Sequence, residues 1–121
     1  MSLLTSLVFA VAAANAPPAD VEVCMQAAAA ATHSTANDSD RDGCVCTVQQ
    51  LHKFLAPADY ALHERMEAII ASGADEVSFN KQLSDIMKRR GMTQIDADAF
   101  LSRSRSAEQQ AGAACNTSPL L

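Results

Sequence analysis

The 121-residue chain contains no tryptophan and only five aromatic residues, one tyrosine and four phenylalanines. That scarcity argues against stacking platforms for bases and against aromatic-lined ligand grooves. Basic side chains are also few: nine Lys and Arg stand against fourteen Asp and Glu, for a net charge of −5. Nucleic acids and anionic membranes both demand a basic surface, so neither is an expected partner. Strand periodicity is missing, since no run alternates apolar and polar residues convincingly, and no internal repeat is evident. Catalytic signatures are missing as well. No Ser/His/Asp elbow, glycine-rich phosphate loop or HExxH sequence occurs, and no enzyme is expected.

What is present favours helices. The chain is 49% hydrophobic, and alanine, the strongest helix former, dominates that fraction. Asp20 can cap a first helix running to about Ala31, with Val21, Cys24, Ala28 and Ala31 on its buried stripe. Thr32 to Gly43 is polar and turn-rich and reads as a loop. A second helix from about Val45 or Thr47 to Leu55 buries Val48, Leu51 and Leu55, with Phe54 alongside. Pro57 suits the first turn of a third helix, whose stripe is Leu62, Met66, Ile69 and Ile70 and whose stop is Gly73. Asp75 or Ser78 opens a fourth, with Phe79, Leu83, Ile86 and Met87 apolar and Gly91 after its end. Thr93 and Asp96 begin a fifth, which contains Ile95, Ala99 and Phe100 and continues towards Cys115. The expected fold class is all-α, a small disulfide-linked bundle of four to five short helices over residues 17–115. Residues 116–121 are expected to form a loose tail.

Residues 1–16, MSLLTSLVFAVAAANA, have the layout of a secretory signal peptide. The apolar run is far shorter than the roughly 20 residues that span a bilayer, so no stable membrane anchor is expected after processing. Small residues allow cleavage after Ala14 or Ala16, although no Lys or Arg precedes the apolar run. The expected localisation is therefore secreted or periplasmic.

All four cysteines, Cys24, Cys44, Cys46 and Cys115, follow the cleavage sites. An even number in a small exported chain implies two disulfides. Cys44 continues the stripe of Val48, Leu51 and Leu55, while Cys46 is rotated away by roughly 200°. Cys24 then pairs with Cys44, and Cys46 with Cys115. If Thr47 caps the second helix in a Thr47-x-x-Gln50 box, both Cys44 and Cys46 lie in the loop and Cys24–Cys46 becomes equally reasonable.

Asp38-Ser39-Asp40-Arg41-Asp42-Gly43 matches the first half of a calcium-binding EF-hand loop. Three carboxylates at alternate positions of a tight turn can converge on a hard cation, and the glycine permits the bend. Position twelve is Gln49 rather than a bidentate Glu, which weakens affinity to roughly 10⁻⁴–10⁻³ M or worse. The alternative is an acidic, solvated turn.

Other groups are read as structural. His33, His52 and His63 have no metal-ligand spacing. Met66, one turn from His63, belongs to the core stripe, which leaves little case for copper. Glu64, Arg65 and Glu67 read as a polar helix face, as do Arg103 to Ser106. The leading expectation is a small exported non-enzymatic protein with an interaction or structural role towards an unknown protein partner. A weak calcium module on Asp38, Asp40, Asp42 and Gln49 is the alternative, and no other cofactor is expected.

Overall fold

The structure, a computed structural model, describes residues 16–35 and 37–117. The expected signal segment lies outside the described residues except for Ala16, and residues 118–121 of the expected tail lie outside them too. Five helices and no strand form among the described residues: α1 (Pro18–Thr32), α2 (Asp38–Phe54), α3 (Pro57–Ala71), α4 (Glu76–Arg89) and α5 (Gln94–Cys115). The fold is all-α, as expected. None of these helices is long and apolar enough to cross a membrane.

Local chemistry explains the boundaries. Pro18 and Pro57 open α1 and α3, where the missing N–H has no helical partner to lose. Asp75 caps α4 by accepting from the Ser78 N–H at 2.8 Å. Thr93 and Asp96 cap α5 reciprocally, each side chain accepting from the other's backbone N–H at 3.1 and 3.0 Å. Gly91, at φ 70°, ends α4 in a Schellman turn: its N–H donates to Lys88 and that of Met92 donates to Met87.

The second helix corrects the sequence reading. It begins at Asp38, because Asn37 accepts from the Asp40 N–H while the Asp40 carboxylate accepts from the Asn37 N–H. Asp38 and Asp40 also place negative charge at the positive end of the helix dipole. The capping box therefore sits ten residues before the expected one at Thr47, which is an interior, buried helical residue. Gly43 falls inside α2, where Thr117 packs against it closely enough that an added Cβ would lie 3.1 Å from the threonine methyl. Asn116 and Thr117 both donate backbone N–H bonds to Gly112.

Packing centres on α3, which touches α1, α2, α4 and α5. The small side chains of α1 allow its backbone to approach α3 closely; Val21, Cys24, Met25 and Ala27 are buried, whereas Ala31 is exposed. α2 lies against α1 on one side and α5 on the other. Leu62, Met66 and Ile69 of α3 meet Leu83, Ile86 and Met87 of α4 and Ala97 and Phe100 of α5 in the largest apolar cluster. Leu51, Leu55, Tyr60, Ala107 and Ala111 form another between α2, α3 and α5. Phe54 and Ile95 are exposed, since their helices turn other residues inwards.

Disulfides join Cys24 to Cys44 and Cys46 to Cys115, leaving no free cysteine. Because α2 already spans both Cys44 and Cys46, these two residues point to opposite sides, one towards α1 and the other towards the end of α5. Bridges of this kind suggest an oxidising, non-cytoplasmic compartment.

Candidate functional site

The Asp38–Gln49 segment, expected as a possible calcium loop, is helical throughout. Residues two apart on a helix diverge by roughly 200°, so Asp40 points away from the direction shared by Asp38 and Asp42. Asp40 is engaged with the Asn37 N–H, and Gln49 lies about two turns further on, inside the same helix. The structure does not bring these four residues together. A local cap at Asn37 and Asp40 sets a helix here in place of the expected turn.

The chemistry converges elsewhere, between α3 and α5. His63 is 0% exposed, and Glu67, one turn further along α3, is 2% exposed. From α5, Ser104 at 0% and Glu108 at 2% face them, again one turn apart. The His63 Nδ1 stands 2.6 Å from Ser104 Oγ. Its Nε2 lies 2.8 Å from Glu108 Oε1 and 4.0 Å from Glu67 Oε1. Glu108 Oε1 is close to Nε2 without forming an aligned hydrogen bond, so both atoms lack a partner, as do both carboxylate oxygens of Glu67.

Two expectations are corrected here. Glu67 and Ser104 had been placed on solvated helix faces, yet both are sealed in the interior. Arg103 does remain at the surface, where its guanidinium donates to both carboxylate oxygens of Asp59 at 2.7 and 3.1 Å. That leaves it unavailable to neutralise the buried carboxylates.

Burial, reinforced by the neighbouring Glu64 and Glu108 carboxylates, pushes the Glu67 carboxyl up to about 9. Burial and the Asp20 carboxylate raise half-buried Glu64 to about 7. Nearby, Tyr60 donates its hydroxyl proton to Asp20 Oδ2 at 2.6 Å, and its ring stacks on His52 at 3.9 Å between centroids. Burial and that hydrogen bond raise the phenol well above its usual range. A continuous polar seam therefore runs from α1 across α3 to α5.

His63, Glu67 and Glu108 offer one imidazole nitrogen and two carboxylate oxygens within 4.8 Å of one another. The sequence carried a signal for this group: His63-x-x-x-Glu67 and Ser104-x-x-x-Glu108 are both i, i+4 pairs, which place two side chains on one helix face. His33, by contrast, ends α1 in a left-handed conformation at the surface, far from this role.

No family model matches the chain, and no curated protein or solved structure shows significant similarity to it.

Proposed function

We propose that this is a small exported, non-enzymatic helical protein of the periplasm or extracellular space, acting through contact with a partner protein. The observation that carries this reading is the engagement of all four cysteines in two bridges that tie α1 to α2 and α2 to α5. Such bonds persist in oxidising compartments and are rare in the reducing cytosol. The apolar stretch over residues 3–14 supplies the corresponding export signal. An interaction role is supported by Val77 and Ile95, large apolar side chains about four-fifths exposed on an acidic protein. A non-enzymatic role is supported by the seclusion of the His63 cluster, whose side chains are at most 3% exposed and leave a substrate no approach.

Intact mass of the protein recovered from its native host, with and without reductant, tests the export reading. The expected product begins at Asn15 or Pro17 and takes up alkylating agent only after reduction, at four sites. Material that still begins at Met1 and alkylates fully without reductant overturns it. For the interaction role, a photo-crosslinker at position 95 should give one discrete adduct in the host envelope, and exclusively uncrosslinked protein refutes contact through that face.

A further inference from the structure

We propose that His63, Glu67 and Glu108 form a site for one divalent transition-metal ion of the zinc type, held between α3 and α5. The donor set fits that ion class. One imidazole with two carboxylates suits zinc and its neighbours, whereas calcium prefers six to eight oxygen ligands. The site is also distinct from Asp38, Asp40 and Asp42, which the helix keeps apart.

Geometry supports a shared ion. Ligand atoms bound to one zinc at about 2.1 Å stand roughly 3–4 Å apart. The His63 Nε2 is 2.8 Å from Glu108 Oε1 and 4.0 Å from Glu67 Oε1, so closure needs only side-chain adjustment. Backbone positions are already set by two packed helices, with one of the bridges fixing the end of α5.

Polar satisfaction is the independent observation. Nε2 of His63, both oxygens of Glu67 and Oε1 of Glu108 are buried without hydrogen-bond partners, and one ligand atom from each of the three residues converges on one place. Unpaired buried polar groups are rare in folded proteins because each is unfavourable. Among the described residues, the basic side chains in ion pairs with carboxylates, other than His63 itself, are Arg41 with Glu22 and Arg103 with Asp59. As ligands of a bound ion, one imidazole and two carboxylates would sum to −2, which a divalent cation cancels.

The outer shell agrees. Ser104 Oγ, 2.6 Å from Nδ1, can accept the Nδ1–H and so leave the lone pair of Nε2 directed at the carboxylates. Metal-bound histidines are held in this way, by a hydrogen bond at the other ring nitrogen. Water would complete a tetrahedral set around the three protein ligands. The rival occupant is a proton shared within the cluster, and the experiment separates the two.

The oxidised full-length mature protein, stripped with chelator, is heated and cooled with zinc so that burial does not bar entry, then dialysed. One zinc per chain is expected, with Tm raised on the order of 10 °C at about a hundredfold excess over Kd. Glu67→Gln and Glu108→Gln should each weaken zinc binding at least about tenfold, since even outer-shell partners of a metal ligand are worth that much, with far-UV circular dichroism in chelator confirming that they fold. In the unmodified chain, long-range imidazole nitrogen spectra should show zinc moving the Nε2 signal of His63 and leaving His33 and His52 in place. The proposal is overturned by zinc that leaves on dialysis, by zinc that shifts His33 or His52 instead, or by no imidazole response at all. Because the imidazole spectra use the natural sequence, misfolding of a variant does not shelter the idea.

Discussion

Removing the disulfides separately and together measures how far this fold depends on its compartment. Cys24–Cys44 closes a segment of 20 residues and Cys46–Cys115 one of 69. Chain entropy alone assigns the two bridges about 3.3 and about 4.4 kcal/mol. The closed segments share no residue, so the effects add, to about 8 kcal/mol. A domain of this size commonly holds only about 5–15 kcal/mol. The assay is urea unfolding by far-UV circular dichroism at 25 °C on wild type, C24A/C44A, C46A/C115A and the quadruple variant. Cys24 and Cys44 are buried in an apolar cluster with Val21, Met25 and Val48. Alanine there also removes packed sulfur, at about 1 kcal/mol a site, which is enough to cancel or reverse the gap of about 1 kcal/mol between the two double variants. The urea slope is the cleaner discriminator. It should rise more in C46A/C115A, because freeing the longer loop exposes more of the unfolded chain. The quadruple variant should have little or no cooperative transition. If it unfolds cooperatively within about 2 kcal/mol of wild type, the bridges do not act through the entropy of the unfolded chain.

Phe100, fully buried where α3, α4 and α5 meet, should cost about 3–5 kcal/mol on replacement by alanine, read by the same unfolding assay. Asp96 is held below its ordinary value of 3.8, chiefly by the backbone hydrogen bond at Thr93. Its ionised form therefore supports the fold above that value, and the support is lost as pH falls through the lower native one. Asp96→Asn should flatten the acid limb of the stability curve. In metal-free protein, native Glu67 keeps its proton to about 9 against an ordinary 4.5, so the unfolded chain releases that proton first. Stability should fall as pH climbs across that interval, and Glu67→Gln should be more stable than wild type at pH 7 with the advantage gone at pH 4. A variant less stable than wild type at pH 7 in chelator refutes the burial argument.

Most of the architecture was legible because it rests on local signals. Pro57, Asp75, Gly73, Thr93 with Asp96, and Gly91 each mark a boundary through backbone chemistry that acts within four residues. The disulfide pairing was legible once Cys44 and Cys46 lay on a helix, since that spacing alone separates their directions. The error lay at the start of α2. Asp38 to Gly43 fits two local structures, a cation-binding turn and the first turn of a helix, and the six residues by themselves do not choose. Asn37 does, by closing a capping box with Asp40.

The polar cluster stayed hidden for a different reason, which concerns α3 as a whole. Hydrophobic patterning assumes a helix with one buried stripe and one solvated face. α3 has four helical neighbours and buries Tyr60, Leu62, His63, Met66, Glu67 and Ile69, which together span about half of its circumference, a far wider arc than the stripe of Leu62, Met66 and Ile69. On such a helix a charged residue is not by itself evidence of solvent: Glu67 falls inside the buried arc, whereas Arg65 is exposed. The matching face of α5 adds to the ambiguity: Ser104, Ala107, Ala111 and Gly112 are buried, yet being small they carry little hydrophobic signal. The long side chains of His63 and Glu108 span the distance between α3 and α5, and Ser104 meets the imidazole from the other helix. One of those small side chains, Ser104, therefore both weakens the pattern in the sequence and leaves room for the imidazole it meets.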